Sequence, residues 1–152
     1  MAMDATIRPA RTGDLPALLE LYKLLEVANE SPLPWEQAHA KLLEILSSAH
    51  HRIYVAECDN AVVGTFALIF IGGLPHRARD SCVVEDVVVA AARQGEGLGK
   101  TMMEFARERC AERDCYKLVL SSHVRREAAH RFYESLGFNR HGYSFLVAPS
   151  QS

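Results

Sequence analysis

Residues 83–110, VVEDVVVAAARQGEGLGKTMMEFARERC, constrain the fold of this chain more than any other stretch. The run opens on valines interrupted only by Glu85 and Asp86, the composition of a strand buried on both faces. Three alanines lead into Arg93-Gln94-Gly95-Glu96-Gly97-Leu98-Gly99-Lys100. Leu98, Met102, Ala106 and Cys110 then recur every four residues, which is one face of a helix. The order is strand, glycine-rich turn, helix. Glycine lets a turn adopt positive φ and approach a ligand closely. The first amides of the following helix lack intrahelical partners and sit at its positive end, so the turn is a candidate anion site.

Glycine-rich turns also join strands to helices with no ligand, so spacing has to discriminate. A P-loop needs Gly-x-x-x-x-Gly-Lys before Ser or Thr; Gly95 to Gly99 is one residue short, although Lys100-Thr101 matches the ending. A dinucleotide fingerprint needs Gly-x-Gly-x-x-Gly, and the chain reads Gly95-x-Gly97-x-Gly99.

The spacing Gln94-x-x-Gly97-x-Gly99 resembles the pyrophosphate-binding motif of the GNAT superfamily, the acyl-CoA-dependent N-acyltransferases. Residues 126–138, REAAHRFYESLGF, resemble that family's second motif, with Ala129, Tyr133, Gly137 and Phe138 in matching places. Within the superfamily, residues 85–120 are similar to the glucosamine-6-phosphate N-acetyltransferases. The resemblance implies an α/β (α+β) fold: one GNAT-like domain over residues 1–152, with a mixed central sheet, a splayed central strand pair and flanking helices. It implies acetyl-CoA as co-substrate, with a small-molecule amine as acceptor. Pantetheine and the acyl carbonyl would use the main chain of Val87, Val88 and Val89. The pyrophosphate would rest on Gln94, Gly95, Glu96, Gly97, Leu98, Gly99, Lys100 and Thr101.

The resemblance also assigns chemistry. Tyr133 would protonate the departing thiolate, and Glu85, ahead of Asp86, would take the amine proton. Strand alternation would send those two carboxylates to opposite faces, and the valines around Glu85 would desolvate it. The family often has Asn where this chain has Arg126, so Arg126 is expected to reach a CoA phosphate or the substrate instead. His123 is an alternative acid or base. A different class of function, a non-catalytic acyl-CoA sensor or protein-docking module, is disfavoured by Glu85 and Tyr133.

Composition bounds the rest. The chain has 152 residues, 49% hydrophobic and 24% charged, enough for one ordinary globular core. A net charge of −2 argues against nucleic acid as a partner. No apolar run reaches the roughly 20 residues of a membrane span, and the start, MAMDATIRPA, lacks a secretory pattern. Cys58, Cys82, Cys110 and Cys115 form no Cys-x-x-Cys and read as reduced, which implies a cytoplasmic protein; no metal site is expected. The oligomeric state stays open, with a homodimer among the alternatives.

Along the chain, 6–8 reads as a strand, and Thr12 as the N-cap of a helix with an apolar face of Leu15, Leu18, Tyr22 and Leu25 that fades near Ala28. Pro32 and Pro34 separate it from a second helix, 35–48. In the resembled family this region covers one side of the acceptor site, so the stretch around Trp35 is a candidate for specificity. Strands are expected at 53–57 and 61–71, joined by a turn at Asp59-Asn60, with Gly64 marking a bulge. The loop His76-Arg77-Ala78-Arg79-Asp80 is a solvated connection or, near the acceptor end, a clamp for an anionic substrate. A strand at 116–121, a helix at 127–136 closed by Gly137, and a last strand at 143–147 complete the reading.

Overall fold

In the computed structural model, which describes residues 4–25 and 31–150, five strands form a single sheet in the order β1-β2-β3-β4-β5. The strands are β1 (Thr6–Pro9), β2 (His51–Cys58), β3 (Ala61–Ile71), β4 (Ser81–Val89) and β5 (Lys117–Leu120). The first four pair antiparallel and β4 pairs parallel to β5, which makes the sheet mixed. The helices are α1 (Leu15–Tyr22), α2 (Trp35–Leu46), α3 (Leu98–Glu112) and α4 (Glu127–Ser135). The chain divides into two compact units, Met1–Leu120 and Ser121–Ser152.

Both faces of the first unit's sheet are covered, as the valine-rich sequence requires. On one face, Leu15 and Leu18 of α1 and Ala38 and Leu42 of α2 pack on Ile53, Val55 and Ala67. On the other, Phe105 of α3 meets Tyr54 and Phe66 edge-on, at 5.0 and 6.2 Å between ring centroids. The α3 stripe read from the sequence, Leu98, Met102, Ala106 and Cys110, is buried throughout. Gly64 lets α3 come close: a Cβ there would lie 3.1 Å from both Leu98 Cδ2 and Met102 Sδ. The bulge expected at Gly64 falls beside it, since Gly64 pairs with Ala56 and Val62 with Glu57, leaving Val63 over. Asp59 and Asn60 both have positive φ, the geometry of a tight hairpin turn.

The amino-terminal cap differs from the reading. Thr12–Asp14 is a 3₁₀ turn whose N-cap is Arg11, because the Asp14 carboxylate accepts the Arg11 amide at 2.7 Å. Arg8 donates two further bonds to Asp14, at 2.8 and 2.9 Å, and one to Glu57 at 2.7 Å, so it ties β1 to the turn and to β2. That hydrogen bonding holds the Asp14 carboxyl below the usual range, against its burial. α1 ends at Tyr22; the expected fading near Ala28 lies outside the described residues.

The strand expected at 143–147 does not form. A strand needs a neighbour for its ladder, and among the described residues of the second unit there is one helix and no strand. Tyr143, Phe145, Leu146 and Val147 are all exposed. All four cysteines are free thiols, three of them buried.

Candidate active site

Two ladders treat β4 differently along its length. With β5 it pairs from Ser81–Lys117 to Val84–Leu120 and no further. With β3 it pairs to the end, through Thr65–Val88 and Gly64–Val89. From Glu85 onward the backbone groups turned toward the β5 side therefore have no strand partner among the described residues. Val87, Val88 and Val89 lie in this part of the strand.

A bulge interrupts this half of β4. Ala67 pairs with Glu85 and Thr65 with Val88, so Phe66 alone opposes both Asp86 and Val87. Asp86 takes φ +54, a left-handed conformation costly for a side-chain-bearing residue. The bulge overturns the expected alternation. Glu85 shares the face of its partner Ala67, toward α1 and α2, and Asp86 lines a cavity on that same side. Both carboxylates are exposed, so the burial anticipated for Glu85 from its valine neighbours is absent: its own side chain leaves the sheet toward solvent.

Beyond β4, Ala91–Arg93 forms a 3₁₀ turn and the glycine stretch follows. Gly95 and Gly97 have φ of +84 and +87, and the space a Cβ would fill at either is empty to 4 Å. Gly97 is the N-cap of α3. Gly99, by contrast, is already helical and has no left-handed geometry. The Gln94 side chain donates to the Val89 carbonyl at 3.1 Å and closes the turn on itself. Thr101 Oγ1 donates to the Gly97 carbonyl at 3.2 Å. Glu96 stands 3.8 Å from Arg93, and Lys100 stands 4.0 Å from Glu104. The amides of Leu98, Gly99 and Lys100, in the first turn of a 15-residue helix, precede any carbonyl four residues back within it. An exposed backbone, two left-handed glycines and a helix amino terminus fit a pyrophosphate.

A cavity of about 270 Å³ opens between α1, α2 and the sheet. Apolar side chains make most of its wall, Leu15, Leu18, Leu42, Ile45 and Ile53 among them, and its polar groups are Tyr22, Lys41, His51 and Asp86. Burial pushes the Tyr22 phenol up to about 12, with the charge of Asp86 adding to the shift and a hydrogen bond with Thr65 opposing it. Thr65 is fully buried and donates its one proton to the Tyr54 carbonyl at 2.8 Å. Leu33 also lines the cavity, whereas Trp35 is half exposed and stacks on His39. The basic loop is elsewhere. It enters the amino end of β4, roughly 13 Å of strand before Glu85, with His76 stacked on Tyr116 at 3.9 Å.

In the second unit, Tyr133 lies on α4, with Phe132 5.4 Å and Phe138 5.9 Å away between ring centroids. Burial pushes its phenol up, opposed by the positive charge of Arg126, so it stays protonated at neutral pH. Arg126 is the N-cap of α4, and its own amide donates to the His123 carbonyl at 3.0 Å. His123 Nδ1 accepts the Arg125 amide at 3.2 Å, which leaves Nε2 as its proton-bearing nitrogen. Gly137 has φ +96, the left-handed geometry read for it. Glu85, the valines and the glycine turn are thus gathered in the first unit, while Arg126 and Tyr133 are neighbours in the second.

Two polar groups escaped the reading of the sequence. Tyr22 was counted only as part of an apolar stripe, and Thr65 was not singled out at all. The available signal was a lone hydroxyl at the end of the leucine stripe of α1, since a buried Tyr tip needs a partner.

Comparisons with known proteins agree with this geometry. The Acetyltransferase (GNAT) family profile matches residues 17–138, across both units. The chain is 29% identical over 140 residues to the glucosamine 6-phosphate N-acetyltransferase of Trypanosoma brucei brucei, covering 91% of this chain and 92% of the relative. It is 31% identical over 120 residues to glucosamine 6-phosphate N-acetyltransferase 1 of Oryza sativa subsp. japonica, covering 76% of this chain and 71% of that one. The crystal structure of the Arabidopsis thaliana glucosamine-6-phosphate N-acetyltransferase superposes with a TM-score of 0.84 at 25% identity, over 96% of this chain and 99% of the other. With the interrupted β4–β5 ladder, the glycine turn and the second motif, these likenesses settle the assignment: the chain belongs to the GNAT family and is an acyl-CoA-dependent N-acetyltransferase.

Proposed function

We propose that the chain moves the acetyl group of acetyl-CoA to a primary amine of a small molecule by direct attack. The observation that supports this most is the end of the β4–β5 ladder at Val84, with β4 continuing through Val89 to the turn that opens α3. A strand half free on one side can pair with pantetheine, and a helix amino terminus beyond it can take the pyrophosphate. Acetyl-CoA supplies an activated thioester; the chain has to hold it, polarise its carbonyl and manage two protons.

Val87–Val89 and the amides of residues 94–101 would hold the co-substrate. Glu85, on the face shared with the cavity, would take a proton from the ammonium, directly or through water. The neutral amine attacks the thioester carbon, a C–N bond forms, the C–S bond breaks, and the nitrogen loses its second proton to solvent as the amide forms. Tyr133, carrying its proton at neutral pH, would give it to the thiolate, a role that rests on the second motif. Arg126 is free to meet a CoA phosphate by charge. Tyr133→Phe keeps the ring's packing and removes only the hydroxyl. Thiol release from acetyl-CoA in the presence of primary amines should fall about a hundredfold, with acetyl-CoA affinity by calorimetry unchanged. Wild-type turnover in the variant moves the acid role away from Tyr133.

A further inference from the structure

We infer that the acceptor is a small apolar primary amine whose ammonium is held by the Asp86 carboxylate and the Tyr22 hydroxyl oxygen at the polar end of the cavity under α1 and α2. This rests on the acetyltransferase reading above and names the substrate class of the same site.

The wall decides the body of the ligand. The cavity is about 270 Å³, the liquid volume of about nine water molecules. Leu15, Leu18, Leu42, Ile45 and Ile53 offer no hydrogen bonds along it. A sugar would bring several hydroxyls into that wall, and each one left without a partner costs about 1–3 kcal/mol. An alkyl or aryl chain gains from the same burial.

The polar end decides the head group. Thr65 Oγ1 has one proton and gives it to the Tyr54 carbonyl at 2.8 Å, so it has none to offer a ligand. Tyr22 brings a hydroxyl to the same lining, and its oxygen can accept. Asp86 offers a carboxylate on the same cavity, near enough for its charge to act on the Tyr22 phenol. A carboxylate and a phenol oxygen on one lining favour a cationic donor, which a primary ammonium is. The left-handed φ of Asp86, kept where glycine would sit without strain, is the kind of outlier that function retains.

Among the described residues of this lining, two basic side chains could meet a phosphate. Of the basic groups on the lining, Lys41 is exposed with its ammonium on Glu44 at 3.0 Å, and His51 remains. Arg8 is committed to Asp14 and Glu57, and the basic loop lies at the far end of β4. The carboxylate at the polar end repels a phosphate dianion. The relatives' printed substrate, a phosphorylated amino sugar, therefore does not transfer to this cavity.

The test uses the full chain with acetyl-CoA and measures thiol release with hexylamine, 2-phenylethylamine and glucosamine 6-phosphate. The apolar amines should give kcat/KM at least about tenfold above the sugar phosphate, a single lost charge-assisted hydrogen bond being enough for that. Asp86→Asn keeps the left-handed fit, because Asn tolerates it, and removes the charge. Its KM for hexylamine should rise about tenfold to a hundredfold with acetyl-CoA affinity kept. Preference for glucosamine 6-phosphate, or an unchanged KM in Asp86→Asn, overturns this assignment and leaves the acetyltransferase reading standing. Absence of thiol release with every amine, while acetyl-CoA still binds, overturns both.

Discussion

Residues Ser81–Val84 and Glu85–Val89 are successive halves of one valine-rich strand, and both pair with β3. Only the first half also pairs with β5. It is regular and puts Cys82 and Val84 into the core, 0% and 3% exposed. The second half is bulged, carries two exposed carboxylates, holds Asp86 in a left-handed conformation and runs into the glycine turn. Similar composition thus serves two ends. A strand held on both edges has its backbone groups satisfied and can only be core. A strand held on one edge has main chain left over for a ligand, and β3 keeps it rigid while it waits.

If this division is right, the two halves should fail differently when a charge changes. Val84→Asp places a carboxylate among Leu68 and the α3 side chains with no partner. It should cost at least about 4 kcal/mol, the lost apolar burial plus an unpaired charge, out of a total stability of about 5–15 kcal/mol. One position on, Glu85→Val should change stability by no more than about 0.5 kcal/mol, because Glu85 is exposed. Urea unfolding followed by circular dichroism gives both numbers. Equal midpoints for the two variants would erase the distinction between the halves.

A smaller effect probes the joint between them. Gly64 pairs with Val89 and lies under the start of α3, where an added Cβ would sit 3.1 Å from Leu98 Cδ2 and Met102 Sδ and 3.3 Å from the Val88 carbonyl. Leu98 and Met102 are 2% and 0% exposed and have little room to yield. Gly64→Ala should therefore lower stability by about 1–3 kcal/mol and also weaken acetyl-CoA binding, since the strain falls on the helix that carries the glycine turn. Thermal unfolding and calorimetric titration read the two effects. A stabilised Gly64→Ala protein would show slack between α3 and β3 and break the link.

What could be read in the sequence divides along the same line. The α3 stripe from Leu98 to Cys110, the Asp59-Asn60 turn and the left-handed Gly137 were legible because each is set by local spacing or by a residue's own backbone preference. The glycine turn was legible as an anion site for the same reason. The bulge at Asp86 and Val87 was not, because register belongs to a pair of strands and the sequence of one strand carries only its own period. Tyr22 hid its role likewise: it lines one cavity with Asp86 of β4, more than sixty residues away. At 143–147 the β-prone residues are there, but among the described residues of that unit no strand completes the ladder. The cap went to Arg11 rather than Thr12 because the Asp14 carboxylate that reaches its amide is itself fixed by Arg8.

The smallest effect is the sharpest test of the second half, because strain and chemistry there point in opposite directions. A non-glycine residue in the left-handed region costs about 1–2 kcal/mol, less for Asp, whose short polar side chain tolerates it. Glycine removes that strain but loses about 0.5–1 kcal/mol of chain entropy on folding. Asp86→Gly should therefore raise stability by no more than about 1 kcal/mol, a few degrees in Tm, whereas Asp86→Ala, with a Cβ and no polar group to ease φ +54, should lower it. Activity toward apolar amines should ignore that order and fall in both variants, because both lack the carboxylate. Thermal unfolding alongside KM for hexylamine separates the two rankings. Should Asp86→Ala prove as stable as Asp86→Gly, the left-handed geometry imposes no constraint, and the bulge is then an ordinary irregularity of β4 rather than a conformation held for the carboxylate it presents.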